Sequence, residues 1–109
     1  MAGGHLGEFE QLLLLAVLHL EPRAHGAAIR RTLKERGRRS ASLGAIYSTV
    51  RRLTAKGLVE VEEVPSPRGG RPRRHVRATQ AAVEALRESR ASWNRMTEGL
   101  EHRLGTESV

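Results

Sequence analysis

The chain has 109 residues, enough for one domain with a modest core, and its nineteen Lys and Arg against twelve acidic residues leave a net charge of +7 that favours a polyanionic partner. There is no Cys, which excludes disulfides, thiolate catalysis and Cys-based zinc sites, and every acidic residue is Glu. Without Asp there is no Ser-His-Asp triad, no aspartate dyad and no aspartate-based magnesium site, so no trio of base, nucleophile and orienting group is available for an enzyme.

The opening MAGGHLGEFEQ lacks the basic region of a signal peptide, and the longest apolar run, Leu12 to Leu18, is far short of the roughly twenty residues that span a bilayer. The expectation is a soluble cytoplasmic protein that makes no membrane contact. From Gly7 to Leu20 the apolar residues run nearly all the way round a helix, which must therefore be buried on several sides and which suggests cover from a second subunit. Glu21-Pro22 ends it. A second helix is expected from about Ala24 to Arg36, with Ala28, Ile29 and Leu33 inward, Arg30, Arg31, Lys34 and Arg36 outward, and Gly37 as its stop.

A third helix occupies the stretch SLGAIYSTVRRLTAKGLV. At the helical period Leu43, Ile46, Val50 and Leu53 share one face, and Gly44, Ser48, Arg51, Arg52 and Ala55 share the other. Ser42 is a good N-cap and Gly57 stands where a left-handed residue would close the helix. Its small, cationic side, essentially Arg51, Arg52 and Lys56, suits the major groove of DNA. Beyond Gly57 the period drops to two: Val59, Val61 and Val64 alternate with Glu60, Glu62 and Glu63 as a half-buried strand. Pro65 to Pro72 is turn-rich, and Arg73 to Ala78 can pair back as a second strand, giving a hairpin with a long basic tip. Thr79 can cap a last helix from Gln80 to about Leu104 carrying an apolar stripe of Val83, Leu86, Trp93, Met96, Leu100 and Leu104. The first three helices already fill the core, so this stripe most simply packs on its counterpart in a second chain.

Three helices followed by a two-stranded hairpin is the order of a winged helix-turn-helix, a mainly α architecture with a two-stranded β wing. The basic residues gather on the second helix, the loop 37–41, the third helix and the hairpin tip, surfaces that adjoin in that architecture, and double-stranded DNA is the expected partner. Arg68, Arg71, Arg73, Arg74 and Arg77 surround Gly69-Gly70 at the tip, where glycine backbone can approach phosphate and guanidinium can pair with it. Tyr47 can either donate its hydroxyl to a phosphate or pack half-buried. Trp93, the only tryptophan, reads as dimer core or as the wall of a cavity that stacks a planar ligand, and the five histidines, at 5, 19, 25, 75 and 102, lack the spacing of a metal site. No metal and no other cofactor is expected.

LGEFEQLLLLAVL at Leu6 to Leu18, SLGAIYSTVRRLTAKGLVE at Ser42 to Glu60 and RGGRPRRHVRAT at Arg68 to Thr79 resemble, in order and spacing, the PadR family of bacterial transcriptional regulators. The length resembles its short branch with a single C-terminal helix, the LmrR-like one. The resemblance implies a winged-helix homodimer that represses from a roughly palindromic operator. It implies Tyr47, Ser48 and Arg51 near DNA and Gly69, Gly70, Arg71 and Arg73 in the wing, and with Ser42, Arg52, Arg68 and Arg74 of the same basic surface these make the expected DNA-binding set. The segment Ser92 to Arg95 resembles the tryptophan-bearing stretch of that branch, which implies a small hydrophobic or phenolic effector near Trp93, Met96 and Phe9. The expected division is a DNA-binding unit over 1–78 and a dimerisation helix and tail over 79–109, with Leu12, Val83, Leu86, Trp93, Leu100 and Leu104 in the dimer interface. A His75-Val76 pair stands after the wing where the family usually carries a tyrosine pair. The rival to this reading is a winged-helix protein-interaction adaptor without operator-specific DNA binding, which would tolerate loss of the wing arginines.

Overall fold

The computed structural model describes residues 6–105. His5, and the outer ends of the two expected units at residues 1 and 109, lie outside them. The order is α1 Glu8–Leu20, α2 Gly26–Glu35, α3 Leu43–Ala55, β1 Val59–Val64, β2 Arg73–Ala78, α4 Gln80–Thr97 and a short α5, Glu101–Leu104. The hairpin is antiparallel with Val61 opposite Val76; Val59 and Val76 are buried, while Val61 and the glutamates and arginines between the valines are exposed. Among the described residues no helix is long and apolar enough to cross a membrane.

Local chemistry fixes the ends of these elements. The Ser42 hydroxyl accepts the Ala45 amide at 3.0 Å and so caps α3. At the other end Gly57 takes φ +75°, its amide reaches the Thr54 carbonyl at 3.0 Å and the Leu58 amide reaches the Leu53 carbonyl at 2.9 Å. That pair of bonds closes the helix and turns the chain directly into β1. Thr79 caps α4 by accepting the Ala82 amide at 3.3 Å, and its own hydroxyl donates to the Gly57 carbonyl at 2.9 Å, fastening the start of α4 to the end of α3.

Leu13, Leu14 and Val17 of α1, Ile29 and Leu33 of α2, and Ile46, Val50 and Leu53 of α3 form the core, joined by Leu58, Val59, Val76 and Ala82. Each such aliphatic side chain contributes about 1.5–3 kcal/mol by leaving water. The wing is anchored to this core: Val76 is buried and its amide donates to the Ala24 carbonyl at 2.7 Å.

The structure departs from the sequence reading in four places. The last helix does not run unbroken to Leu104. It ends at Thr97, Gly99 adopts φ +89°, and Leu100 and Leu104 lie beyond the break, out of register with Val83, Leu86, Trp93 and Met96. A glycine in the left-handed region is how helices stop, and it outweighs the apolar periodicity that continues past it. Leu43, expected inward, is 39% exposed, because it occupies the first helical position, which projects beyond the core. Helix α2 starts at Gly26 rather than Ala24, since residues 23–25 are drawn out to meet β2. Finally Val61, expected on the buried side of the strand, is 41% exposed, because it lies along the open groove between α3 and the wing.

Candidate nucleic-acid interface

Glu10 explains how α3 is held. Its carboxylate accepts the Gly7 amide at 2.9 Å, closing the free end of α1, and also meets Lys56 Nζ at 2.9 and 3.1 Å and Arg52 Nε at 4.0 Å. Burial opposes ionisation of Glu10, but the Gly7 amide and the Lys56 ammonium, with a further contribution from Arg52, outweigh it and hold the carboxyl below its ordinary range. Arg52 is turned further along its own helix, donating to Thr49 Oγ1 at 3.1 Å and to Ser48 Oγ at 3.4 Å. The cationic side expected of α3 is therefore largely spent within the protein. Arg52 and Lys56 bind α3 to α1, and Arg51 is left as the arginine of α3 with no carboxylate partner among the described residues.

The loop before α3 behaves in the same way. Arg39 pairs with Glu8 at 2.6 Å and lies 5.9 Å over the Phe9 ring, so this arginine, expected to add to the basic surface, pins the turn onto α1. Tyr47 is half-buried, and a β-carbon placed on Gly26 would overlap its hydroxyl and Cζ. Of the two readings of Tyr47 the packing one describes its place: the ring leans on the first residue of α2, where only glycine leaves room, and its hydroxyl ends at that helix start.

The wing contrasts with the loop. Arg68, Arg71, Arg73 and Arg74 are exposed, and among the described residues none of them has a carboxylate partner. Gly69 and Gly70 take φ of +77° and +84°, a conformation that side chains resist and that turns the tip back toward β2. Arg77, further down the strand, pairs with Glu60 across the ladder at 2.7 Å, a hydrogen bond and charge contact that raise its pKa and remove it from the free set. Between α3 and the wing lies an open groove of about 410 Å³, lined among others by Tyr47, Val50, Arg51, Val61, Arg74 and Val76. Arg51 of the helix and Arg74 of the hairpin thus face a common space.

On the other side of β2 the structure brings together residues that sequence spacing could not connect. The rings of His25, at the start of α2, and His75, in β2, stack at 6.2 Å with 28° between their planes. Burial, then the charges of Arg73, His75 and Arg31, push the His25 pKa below its ordinary value of 6.5. The sequence reading had no signal for Glu10 or for this histidine pair, since each acts through a partner far along the chain.

The effector residues separate. Phe9 packs partly buried against the protomer's own core, as do Leu12 and Leu86 of the expected dimer set. Trp93 is 55% and Met96 75% exposed on α4, in which Ala82 alone is buried. Helix α4 packs on the wing near its start and otherwise stands clear, consistent with overall extents of 54 × 31 × 21 Å.

Comparison with known proteins agrees with this arrangement. The model of the Transcriptional regulator PadR-like family matches residues 14–88. A PadR-like transcription factor from Bacteroides fragilis is similar in structure with a TM-score of 0.70 and 30% identity, over 86% of this chain and 87% of that one. A PadR family transcriptional regulator from Eggerthella lenta gives 0.67 and 27%, over 92% and 88%. A PadR-like regulator from Bacillus cereus shares the fold at 0.70 with 23% identity, over 91% and 93%. Comparison with curated protein sequences finds no match. With the family's pattern covering most of the chain and a 30% identical relative sharing its fold, the protein belongs to the PadR-like family of transcriptional regulators.

Proposed function

We propose that this regulator is a cytoplasmic homodimeric repressor that grips a roughly palindromic operator with α3 and the wing of each protomer. The observation that carries the reading is the division among its cations. Arg39, Arg52, Lys56 and Arg77 are held by Glu8, Glu10 or Glu60, while Arg51, Arg68, Arg71, Arg73 and Arg74 stand exposed around α3 and the wing with no carboxylate partner among the described residues. Unpaired guanidinium groups gathered at a helix and a glycine-bearing tip suit a phosphate backbone and the base edges beside it. Ser42, Tyr47 and Ser48 flank that surface. Residues 1–78 would form the DNA-binding unit and 79–109 the dimerisation element, with Trp93, Met96, Leu100 and Leu104 meeting a second copy. Any small hydrophobic or phenolic effector would enter beside Trp93 and Met96.

The test is operator binding. Arg51→Ala is expected to weaken binding by about 1–3 kcal/mol and to relax preference at one base pair, the pattern of a lost base contact. Arg71→Ala should weaken binding to all duplexes alike and make it less salt-dependent, the pattern of a lost phosphate contact. A mobility-shift titration at several salt concentrations reads both. Wild-type affinity and salt dependence in both variants would favour the adaptor reading instead.

A further inference from the structure

The groove between α3 and the wing is more apolar than a seat for phosphate needs to be. Arg51 and Arg74 are its charged lining residues, and Val50, Ala55, Val61 and Val76 supply most of the remaining wall. Val50 and Val76 are buried members of the core, so along the groove the core itself comes to the surface. Val61 is exposed beside them in the middle of β1, where a water-facing residue of a half-solvated strand is ordinarily polar. Among the described residues neither Arg51 nor Arg74 has a carboxylate partner. Glu63 stands opposite Arg74 in the strand register, but it does not line the groove and makes no ion pair with that arginine.

A charged DNA backbone gives the two arginines a partner and gives the valines none. A molecule with both characters satisfies both. We propose that the groove binds a small amphipathic carboxylate, its alkyl chain on Val50, Val61 and Val76 and its carboxylate on Arg51 and Arg74, and that this ligand and DNA exclude one another. The groove volume of about 410 Å³ falls within the range of about 300–1,000 Å³ typical of small-molecule sites. Its branched aliphatic walls suit an alkyl chain rather than a stacked ring, since Tyr47 is the one aromatic lining residue and its hydroxyl is lodged against Gly26. Neither Trp93 nor Met96 lines this groove, so the site is separate from the effector position beside them on α4. The exclusion, though not the ligand site, rests on the DNA-binding reading above.

The two halves of such a ligand have different tasks. An exposed ion pair contributes little in water, so a simple anion such as acetate gains almost nothing from Arg51 and Arg74 alone. The alkyl chain supplies the affinity by taking apolar surface out of water, at most about fourfold for each methylene buried. The guanidinium groups pair with carboxylate through parallel hydrogen bonds, which orients the ligand and disfavours its uncharged analogue. Arg51 and Arg74 are also among the cations offered to DNA. A carboxylate held on them removes those contacts from the duplex, and the ligand would release DNA at the reading surface itself, with no change relayed from α4.

The experiment titrates the full-length protein, free of DNA, with sodium octanoate and follows the valine and methionine methyl groups by NMR. Octanoate is expected to shift Val50, Val61 and Val76 and to leave Met96 unmoved. Hexanoate should bind more weakly, by at most about fourfold per methylene lost, and acetate and octanol should give no comparable shift. Arg51→Ala and Arg74→Ala should each weaken octanoate binding several-fold, and Val61→Glu, which places a carboxylate in the groove, should abolish it. Fluorescence anisotropy with a random-sequence duplex at fixed ionic strength then reads the exclusion: octanoate at its own Kd should about double the duplex Kd, and the same concentration of acetate should leave it unchanged. No shift at the groove valines, a shift at Met96 alone, or an equal response to octanol would overturn the ligand site. So would groove methyls that respond to duplex or to protein concentration but not to octanoate, since the occupant is then DNA or a second copy. In each of those cases duplex binding by the wild type leaves the DNA-binding reading standing. Octanoate in the groove with duplex affinity unchanged would overturn the exclusion, and a wild type that binds no duplex would overturn the DNA-binding reading itself.

Discussion

Glu10 is the residue on which the position of α3 turns. A buried carboxylate on an otherwise apolar helix would be costly alone, yet here it takes the Gly7 amide, the Lys56 ammonium and the edge of Arg52. Replacement by Gln keeps the shape and loses the charge, and should cost about 1.5 kcal/mol, the low end for a charged hydrogen bond because Lys56 keeps partial access to water. The sign of the pH effect follows from its lowered pKa. The folded protein binds fewer protons here than the unfolded chain, so the stabilisation is present above about pH 4.5, the ordinary value, and is lost as the pH falls through the folded one. Urea denaturation of wild type and Glu10→Gln should therefore differ at neutral pH and converge in acid. A difference that persists undiminished in acid would remove the ion pair as its cause.

At the scale of the element, α3 is a short helix whose outward side must reach a partner while its inward side stays seated. Ile46, Thr49, Val50 and Leu53 seat it, Ser42 closes its start, and the paired bonds at Gly57 and Leu58 close its end. The start is the vulnerable end, since the first turn, with Leu43, Gly44 and Ala45, is exposed. Ser42→Ala removes the cap and should lower stability by about 1 kcal/mol. If, as proposed, the turn that frays is the one offered to DNA, operator affinity should fall by more than nonspecific affinity. Thermal denaturation and paired mobility shifts on operator and unrelated duplexes check both halves, and an equal loss on the two duplexes would place the first turn outside base recognition.

For the molecule as a whole, the feature that most needs a partner is α4. Trp93 and Met96 of α4 face water, as do Leu15 and Leu18 of α1, and large apolar side chains exposed in this way mark an interaction surface. The double variant Trp93→Glu, Met96→Glu changes no residue of the protomer core, so its circular dichroism should match the wild type. Sedimentation equilibrium should show a dimer for the wild type and a monomer for the variant, and operator affinity should fall with it, since two half-sites can no longer be held together. A variant that stays dimeric would move the interface off α4.

What the sequence determined by itself is what depends on near neighbours. Ser42 and Thr79 as caps, Gly57 as a helix stop, the strand that opens at Val59, and the start of the return strand at Arg73 follow from backbone chemistry within a few residues, and the structure has them in place. The order of three helices and a wing, and with it the family, was legible for the same reason. Gly99 shows the limit even at short range, since periodicity carried the last helix through a residue that stops it. The use to which each charge is put was decided only by tertiary structure. Arg51 and Arg52 are adjacent and alike in sequence, but one is free and the other faces Glu10 of α1. Lys56 and Glu10, or His25 and His75, meet only because packing of the core brings distant segments together. Coulomb energy and desolvation depend on those distances and on burial, neither of which is written in the spacing of residues along a chain.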